Sequence, residues 1–508
     1  MSLATLYSRA QDGIHAPLVS VEVHLSNGLP GLSIVGLPDT EVKESKDRVR
    51  SAIINARFEF PARRITINLA PADLPKGGGR FDLAIALGIL IASEQVKASD
   101  IQQYEFIGEL ALSGALRAVH GALPVAIQTH QSLRHLVLPE QNASEAAHVS
   151  ALPILPAIHL LDVCAHLAGQ QRIEPFNLPE DHSQQTITTP DLSDVHGQDM
   201  AKRALQIAAA GSHNLLMIGP PGTGKTMLAS RLPGILPAMS EHEALESAAI
   251  HSISQSGFNV SNWRQRPFRS PHHSASAVAL VGGGSQPRPG EISLAHHGVL
   301  FLDELTEYNR HVLDVLREPL ESGHITISRA ARQANFPSRF QFVAAMNPCP
   351  CGYLGDGSDR CHCTSEQVQR YRSRVSGPLL DRIDMHIEVP RLSQKQLRSA
   401  RLQNSVSSAE IRNYVKLTRD KQILRSGKTN SQLGSKEIEQ YCHLQQQDSD
   451  LLDEAIEQLG LSGRAYHRIL KVARTIADMD DSDAILTHHL SEALSYRKLD
   501  RARVATTT

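Results

Sequence analysis

The sequence predicts two α/β domains followed by a helical region, and three patterns lead to this fold class. Short β-type runs alternate with helical stretches over residues 1–168, and the same alternation returns over residues 193–390. Residues 391–508 show helical periodicity with few strand-like runs. Residues 169–192 are polar and contain prolines, which is typical of a linker.

Length and composition are those of an ordinary globular protein. The 508 residues correspond to about three domains. The 51 Lys and Arg residues nearly balance the 53 Asp and Glu residues. This balance excludes binding to nucleic acid through bulk positive charge, but it leaves room for a local basic surface. An aromatic content of 4% offers little for stacking on bases.

The apolar runs, the N-terminal segment and the cysteine spacing favour a cytoplasmic location for this protein. No run reaches the roughly 18 apolar residues of a membrane span. The N-terminus has no basic segment followed by an apolar one, as a secretory signal would. Four of the six cysteines lie close together, unlike a secreted disulfide framework. We expect a cytoplasmic protein with no membrane partner.

The second α/β domain opens with the strongest motif of the chain. An apolar strand, Asn214–Ile218, runs into a glycine-rich loop that a helical pattern follows. Glycines let backbone N–H groups surround phosphate oxygens, Lys225 can reach the β- and γ-phosphates, and Thr226 offers a hydroxyl to Mg²⁺. The predicted nucleotide contacts are Gly219, Pro220, Pro221, Gly222, Thr223, Gly224, Lys225, Thr226 and Met227. A chance glycine-rich turn is the alternative, and both flanking segments argue against it.

Polar side chains follow two later strands of the same domain. The apolar run 298–302 ends in Asp303 and Glu304, at the edge where α/β sheets bind their ligands. Asp303 would complete the Mg²⁺ shell with Thr226, and Glu304 would accept the proton of the attacking water. An ordinary acidic helix cap is the alternative. Asn347, after the run 340–346, would orient that water or contact the γ-phosphate, unless it only caps a turn.

Four cysteines flank a loop rich in Gly and Asp. Cys349, Cys351, Cys361 and Cys363 form two Cys-x-Cys pairs, which suits a structural Zn²⁺ with four thiolate ligands. His362 is a possible substitute ligand. Free thiols remain the alternative, and a redox pair is less favoured. The adjacent histidine pairs, such as His272 and His273, are interpreted as structural or interface residues, because neighbours point in different directions.

These motifs, in this order, resemble those of the AAA+ ATPases. Residues 266–305 look like the magnesium-chelatase-like group, which carries an insert in the second helix of the ATPase domain. Residues 28–53 and 69–90 are similar to the bacterial YifB/ComM branch of that group. The resemblance extends over nearly the whole chain. It implies an AAA+ P-loop domain with a helix-2 insert, a C-terminal helical lid, and ATP with Mg²⁺ as cofactors.

The resemblance also assigns two arginines. Arg382, in the stretch 376–384, is similar to the arginine finger that stabilises charge on a neighbouring subunit's γ-phosphoryl group. Arg464 matches the sensor-2 arginine of the lid, with Arg468 as second choice and a solvent-facing structural arginine as the alternative. An arginine finger requires subunits that touch around the ATP. The resemblance therefore implies a homo-hexameric ring.

The first domain resembles the α/β proteolytic domain of Lon, with one decisive departure. Arg80 stands where the nucleophilic serine of Lon is expected, in the stretch 75–81, so peptide-bond cleavage of that type cannot start. The loop that remains carries Lys76 and Arg80. In a ring it would face the central channel and contact DNA phosphates without reading sequence. A solvated loop in which the glycines only turn the chain is the alternative.

A second candidate for the DNA contact lies before Asn347. Residues 324–336 have the pattern of a β-hairpin with Arg329 and Arg332 near its tip. Related ring helicases insert such a hairpin into the pore, where these arginines would hold the DNA backbone. A hairpin that packs on the neighbouring subunit is the alternative.

The family resemblance implies a hexameric DNA motor, a helicase that promotes branch migration of DNA joints in natural transformation and homologous recombination. Duplex, branched or single-stranded DNA would be bound independently of sequence, and recombination proteins are candidate partners. Two rivals remain, a chelatase-type motor that remodels a protein partner and a chaperone motor. The chain lacks the Asp-x-Ser-x-Ser motif on which chelatases rely, although another subunit could carry it. A chaperone motor predicts aromatic pore loops, and the hairpin offers basic residues instead.

Overall fold

The computed structural model describes residues 2–178, 190–284, 287–329, 332–393, 395–396 and 406–497. It divides into two compact units, and each is made of three segments of chain. Unit 1 comprises Met1–Thr186, Glu241–Trp263 and Ser328–Phe336. Unit 2 comprises Ile187–Ser240, Arg264–Ile327 and Pro337–Thr508. The continuous second domain expected from the sequence is thus interrupted twice by segments that pack within unit 1. Much of the expected linker, residues 179–189, lies outside the described residues.

Unit 1 is built on a mixed seven-stranded sheet. Its strands alternate buried and partly exposed side chains, as the period of two predicts. The sheet order is β3-β4-β2-β1-β5-β8-β9, where β2 pairs antiparallel with β1 and β4 and the other pairs are parallel. A small hairpin, β6 with β7, stands apart. The bounds are β1 Leu3–Arg9, β2 Leu18–Ser26, β3 Gly31–Val35, β4 Arg64–Ala70, β5 Tyr104–Phe106, β6 Glu109–Leu110, β7 Leu116–Arg117, β8 His135–Pro139 and β9 Ile154–Ala157.

The helices of unit 1 cover this sheet. The helix Asp82–Ala92 is apolar around its circumference and almost entirely buried, as a core helix should be. It approaches β2 so closely that a Cβ added at Gly88 would lie 2.5 Å from Val23 Cγ2. The other helices from the first segment are Thr40–Asn55, Ala122–Gln131, Glu140–Ala146 and Leu160–Leu167.

The segment Glu241–Trp263 is a structural part of unit 1. Its helix, Glu241–Ser252, places Ala248 in the same apolar cluster as Leu123. The N–H of Gly121 donates to the carbonyl of Ser252 over 3.2 Å. Trp263 packs against His148 with 4.3 Å between ring centroids. The segment Glu241–Trp263 therefore belongs to the core of unit 1, which its position in the sequence did not indicate.

Unit 2 is organised by a five-stranded sheet in which all pairs are parallel. The order is β11-β14-β17-β10-β18, so β10 lies between the two later strands β17 and β18. Parallel strands end at the same edge, where the order reverses and ligands bind. The strands are β10 Leu215–Ile218, β11 Phe268–Arg269, β14 Val299–Leu302, β17 Gln341–Met346 and β18 Met385–Glu388. A further pair in unit 2 is β12 Gly282–Gly283 with β13 Arg288–Pro289. A hairpin pairs β15 His324–Arg329 with β16 Arg332–Pro337, and its residues Ser328–Phe336 belong to unit 1.

Helices surround this sheet and then form the C-terminal region. Those of the α/β part are Asp199–Gly211, Lys225–Ala229, Leu232–Ile235, Ala277–Val281, Glu291–Leu294, Arg310–Asp314, Arg317–Ser322, Ser365–Arg372 and Gly377–Leu380. The C-terminal helices are Ser408–Ser426, Ser435–Tyr441, Gln446–Leu459, Gly463–Met479 and Thr487–Ser495, which confirms the predicted helical region. Across the described residues, no helix combines the length and apolarity that crossing a membrane requires.

Candidate nucleotide-binding site

The phosphate loop, residues 219–226, connects β10 to the helix Lys225–Ala229 as the sequence predicts. Gly222 and Gly224 have φ angles of 76° and 89°, a region that side chains with a Cβ rarely adopt. Their Cα atoms face open space, whereas a Cβ at Gly219 would lie 2.2 Å from the carbonyl oxygen of Val389. The first glycine is needed for packing, and the other two let the backbone curve around an open volume.

Lys225 lies at the base of this loop. Its Nζ donates to the carbonyls of Gly219 and Pro220 over 2.7 and 2.9 Å, and to Oδ1 of Asn347 over 3.3 Å. The side chain is 8% exposed, and burial lowers the pKa of Lys225 even though Asp303 and Glu304 oppose the shift. A buried cation held by weak neutral acceptors is well suited to bind phosphate oxygens.

The two predicted acids reach the same place from β14. Oγ1 of Thr226 donates to Oδ2 of Asp303 over 2.5 Å. The N–H of Glu304 donates to Oδ1 of Asp303 over 2.9 Å, which fixes the Asp303 carboxylate. A hydroxyl beside a carboxylate is the oxygen donor set that Mg²⁺ takes in nucleotide sites. These residues therefore fit the ion that the motif implies.

One cavity joins these groups. It has a volume of about 380 Å³, and its walls are residues 221–227, Asp303, Glu304, Met346 and Asn347. The structure thus brings together the predicted loop, both acids and Asn347. Gly219 and Pro220 contribute through the carbonyls that hold Lys225.

Glu304 has a contact that the sequence did not suggest. Its φ of 52° places it in the left-handed region, and Oε2 lies 3.2 Å from Nδ1 of His273. The sequence interpretation treated His273 as a structural or interface residue. No local signal identified the contact, because His273 follows β11 while Glu304 follows β14.

A second cavity of about 630 Å³ includes Gln198, His386, Pro390 and Tyr496 in its walls. Gln198 Nε2 donates to the carbonyl of Pro390 over 2.8 Å and to the carbonyl of Thr223 over 3.4 Å, so this cavity adjoins the phosphate loop. Burial holds the pKa of His386 well below its usual range, which keeps the ring neutral. A largely apolar cavity beside a phosphate loop has room for a nucleoside. The Gly-Gln pair before the helix Asp199–Gly211 was the available signal.

The predicted arginines lie elsewhere in unit 2. Arg382 is 7% exposed along its side chain, and its Nη2 pairs with Oε1 of Glu321 over 2.5 Å. Arg464 is 62% exposed along its side chain and approaches the same oxygen over 3.8 Å. Neither arginine is among the described residues that line the 380 Å³ cavity.

Arg468, the second choice for the sensor-2 arginine, pairs with buried Asp384. Burial favours a raised pKa for Asp384, but Arg468 and His213 outweigh it and hold that pKa well below its usual range. The charge of Arg468 is thus committed to a buried ion pair. This contact indicates a structural role for Arg468.

The four clustered cysteines converge. All four Sγ atoms lie within 4.8 Å of one another, and none is in a disulfide. His362 is exposed and does not belong to this group. The structure therefore supports a four-thiol set that could hold a metal ion, without the substitute ligand.

The structure contradicts the predicted DNA contact of Lys76 and Arg80. Lys76 is completely buried and donates to the carbonyl of Pro71. Arg80 is 6% exposed and donates to Oε1 of Gln11 and to the carbonyl of His120, and burial lowers the pKa of Arg80 to about 10. Both cations are used inside unit 1, where DNA phosphates have no access to them.

The predicted hairpin forms as β15 and β16. Residues 330 and 331, and the side chains of Arg329 and Arg332, lie outside what the structure describes, so their DNA contact stays a prediction. On the return strand, Phe336 is buried and approaches Gly13, and both residues belong to unit 1. Part of the hairpin therefore packs within its own chain.

Comparison with known proteins matches three parts of the chain to models of magnesium chelatase subunit ChlI. The family model described as magnesium chelatase, subunit ChlI, matches residues 191–397. Models described as subunit ChlI of Mg-chelatase and as its C-terminal part match residues 21–142 and 405–497.

Individual relatives extend this similarity. The chain is 55% identical over 504 residues to Competence protein ComM of Haemophilus influenzae, covering 99% of this chain and 98% of that protein. It is 53% identical over 501 residues to Uncharacterized protein YifB of Escherichia coli, with the same coverage of each chain. The Magnesium-chelatase 38 kDa subunit of Cereibacter sphaeroides is 24% identical over 179 residues, 31% of this chain and 52% of that protein. The chain therefore belongs to the YifB/ComM branch of the magnesium-chelatase-like AAA+ ATPases.

Proposed function

We propose that this protein is an ATP-driven hexameric DNA motor, a helicase that promotes branch migration of DNA joints during natural transformation and homologous recombination. The observation that carries the proposal is the cavity formed by the phosphate loop, Asp303, Glu304 and Asn347. Full-length similarity to a relative named as a competence protein supports the biological setting.

Five residues of the cavity have assigned roles in ATP hydrolysis. Lys225 exchanges its loop carbonyls for β- and γ-phosphate oxygens. Thr226 and Asp303 would hold Mg²⁺, which neutralises phosphate charge when bound. Glu304 accepts the proton of the attacking water, and Asn347 orients that water from the end of β17. The adjoining cavity around Gln198 receives the nucleoside.

The arginines support assembly into a ring. Arg382 and Arg464 approach the same carboxylate, Glu321, and neither lines the cavity of its own chain. This arrangement suits residues that act on the nucleotide of a neighbouring subunit. Arg382 would exchange Glu321 for the γ-phosphoryl group when the ring closes, and Arg464 is proposed as the sensor-2 arginine of the lid.

DNA contact is assigned to the hairpin tip, with Arg329 and Arg332 holding the backbone independently of sequence. The first domain is proposed to be a Lon-like collar without protease activity, since Arg80 replaces the serine nucleophile and is buried. The four cysteines are proposed to hold a structural Zn²⁺. Recombination proteins remain the expected partners.

A second candidate function follows from the family models, which are described as magnesium chelatase subunits. A chelatase-type or chaperone motor would use the same ATPase site to remodel a protein partner. Such a motor has no reason to respond to DNA. The response of ATP hydrolysis to DNA therefore separates the two candidates.

The test is the ATPase rate of the full-length protein with and without single-stranded, duplex and branched DNA. Lys225→Ala is the inactive control, and Lys436→Ala, at an exposed lysine, is the matched control. We expect DNA to stimulate the wild type and Lys436→Ala several-fold and Lys225→Ala not at all. A DNA-indifferent ATPase that Lys225→Ala still abolishes would preserve the ATPase assignment and overturn the DNA role.

A further inference from the structure

The loop between Cys349 and Cys363, called the cysteine loop below, has the dimensions of a metal site. The Sγ atoms of Cys349, Cys351 and Cys361 are separated by 3.4, 3.6 and 3.8 Å. A tetrahedral zinc site with Zn–S bonds of about 2.3 Å has sulfur–sulfur edges of about 3.8 Å. A disulfide would need about 2.05 Å, so these sulfurs are spaced for a shared ion and not for a bond.

Contacts within the cysteine loop order the segment that carries the four cysteines. The N–H of Leu354 donates to Sγ of Cys349 over 3.4 Å, which suits a thiolate acceptor. Asp356 pairs with Arg360 over 2.5 Å, and the Arg360 guanidinium stacks 4.2 Å from the centre of the Tyr353 ring. These contacts hold the two Cys-x-Cys pairs opposite each other.

The same loop forms part of the surroundings of the nucleotide cavity. Gly352 lies against the phosphate loop, where an added Cβ would sit 2.9 Å from Cδ of Pro221. Asn347, which accepts from Lys225, is two residues before Cys349. Gly352 directly follows Cys351 and Asn347 lies two residues before Cys349, so a group that fixes the cysteines restrains both segments.

We propose that the four cysteines bind one zinc ion and that this ion positions Asn347 and the phosphate loop, so that metal occupancy sets ATP affinity. A four-thiolate site is closed to substrate, so the ion acts structurally. It closes the cysteine loop and removes the freedom that this segment would otherwise lose on binding nucleotide. The inference rests on the proposed nucleotide site and adds a second requirement for it.

The first measurement is the metal content of the full-length protein purified without chelator. We expect one zinc per chain in the wild type and in Cys442→Ser, which changes a buried cysteine outside the cluster. Cys361→Ala should lose the zinc, and Cys361→His should keep it, because three thiolates and an imidazole also form a structural zinc site. Cobalt exchanged into the wild type should give the absorption of a tetrahedral thiolate complex.

The second measurement is the Kd of a fluorescent ATP analogue with Mg²⁺ for the same proteins, after circular dichroism has shown that each is folded. We expect Cys361→Ala to bind about tenfold more weakly, a coupling of ordinary size, and Cys361→His to bind like the wild type. Gly352→Ala should keep its zinc and still bind more weakly, because the added methyl group pushes on Pro221 and because alanine is strained at a φ of 83°. Gly352→Ala therefore tests the contact between the cysteine loop and Pro221 even if Cys361→Ala does not fold.

The outcomes are distinct. A wild type that contains no zinc and takes up neither zinc nor cobalt overturns the metal site. Zinc-free Cys361→Ala, or zinc-bound Gly352→Ala, with wild-type ATP affinity overturns the positioning role. A zinc-loaded wild type that binds no nucleotide overturns the proposed function instead, since it leaves the metal site intact and removes the nucleotide site.

Discussion

Each unit contains a glycine-rich loop with a lysine. In both loops the lysine donates to backbone carbonyls, but the surroundings of the two loops differ. In the N-terminal glycine loop, residues 75–81, Lys76 donates to the carbonyl of Pro71. In the phosphate loop, Lys225 donates to the carbonyls of Gly219 and Pro220. Both lysines are buried, and burial lowers the pKa of each. Neither exposure nor the hydrogen bonds to backbone carbonyls distinguishes the two loops, although Lys225 also donates to Oδ1 of Asn347.

What distinguishes them is the space in front of the backbone. A Cβ at Gly79 would lie 2.7 Å from Cγ of Glu109, so this glycine permits tight packing inside unit 1. A Cβ at Gly222 or Gly224 would meet no atom within 4 Å, and the acids that follow β14, two strands from β10 in the sheet, border the open volume. Glycine and lysine in a sequence predict a backbone path, and the neighbouring strands decide whether that path surrounds a ligand.

The largest expected difference between the loops is in ATP hydrolysis. Lys225→Ala should reduce the rate by at least about 100-fold, because a charge that stabilises the transition state is lost. Lys76→Ala should leave the rate within about twofold and lower the free energy of unfolding by about 1–3 kcal/mol, since the Pro71 carbonyl loses its donor. Steady-state ATPase assays and denaturant unfolding measure the two effects. Equal ATPase losses in both variants would remove the distinction.

One substitution made in both loops sharpens the comparison. Gly79→Ala should destabilise unit 1 by about 1–3 kcal/mol through overpacking against Glu109, with ATP affinity unchanged. Gly222→Ala meets open space but imposes a left-handed φ that costs about 1–2 kcal/mol. We expect Gly222→Ala to weaken ATP binding about tenfold as the loop relaxes. Isothermal titration and thermal unfolding of both variants would decide, and the reverse pattern would contradict the structure.

The lowered pKa of Lys225 predicts an alkaline limit to ATP binding. Because burial disfavours the charged form, Lys225 loses its proton at a lower pH than a free lysine, for which the pKa is about 10.4. ATP affinity should therefore fall several-fold on the alkaline side before free lysines titrate. The unfolding free energy should move the other way, since a penalty for burying charge disappears as Lys225 deprotonates. Lys225→Arg, which stays charged, should retain affinity over that range, and an unchanged limit in this variant would assign the effect to another group.

The smallest effect concerns Glu304. His273 engages one of its oxygens in a pair exposed to solvent, and such pairs contribute about 0–1 kcal/mol. His273→Ala should release the carboxylate and raise the DNA-free ATPase rate by less than about fivefold. Rate measurements with and without DNA would check this, with His272→Ala as the neighbouring control. A hundredfold loss in His273→Ala would mean that His273 itself takes part in hydrolysis.

The residues that line the candidate nucleotide site could be grouped from the sequence because they lie in short stretches that follow strands. One parallel sheet carries the strands that precede the phosphate loop, the two acids Asp303 and Glu304, and Asn347. Because parallel strands end at the same edge of a sheet, this topology brings these residues together. The cysteine cluster could be predicted because its four cysteines are close in sequence.

What the sequence could not predict depends on contacts between distant segments. Nothing near Lys76 or Arg80 indicates that unit 1 buries both. The packing of the helix Glu241–Ser252 against Leu123 depends on apolar residues more than a hundred positions away. His273 and Glu304 meet only because β14 lies beside β11 in the sheet.

The most direct measurement is strand displacement from a labelled four-way branched DNA in the presence of ATP. The proteins to compare are the wild type, Glu304→Gln and Lys436→Ala, after binding assays have shown that all three bind ATP. We predict that the wild type and Lys436→Ala move the branch, while Glu304→Gln, which retains Lys225 and Asp303, does not. Branch movement by Glu304→Gln at the wild-type rate, or ATP hydrolysis by the wild type without branch movement, would contradict a motor driven from this site.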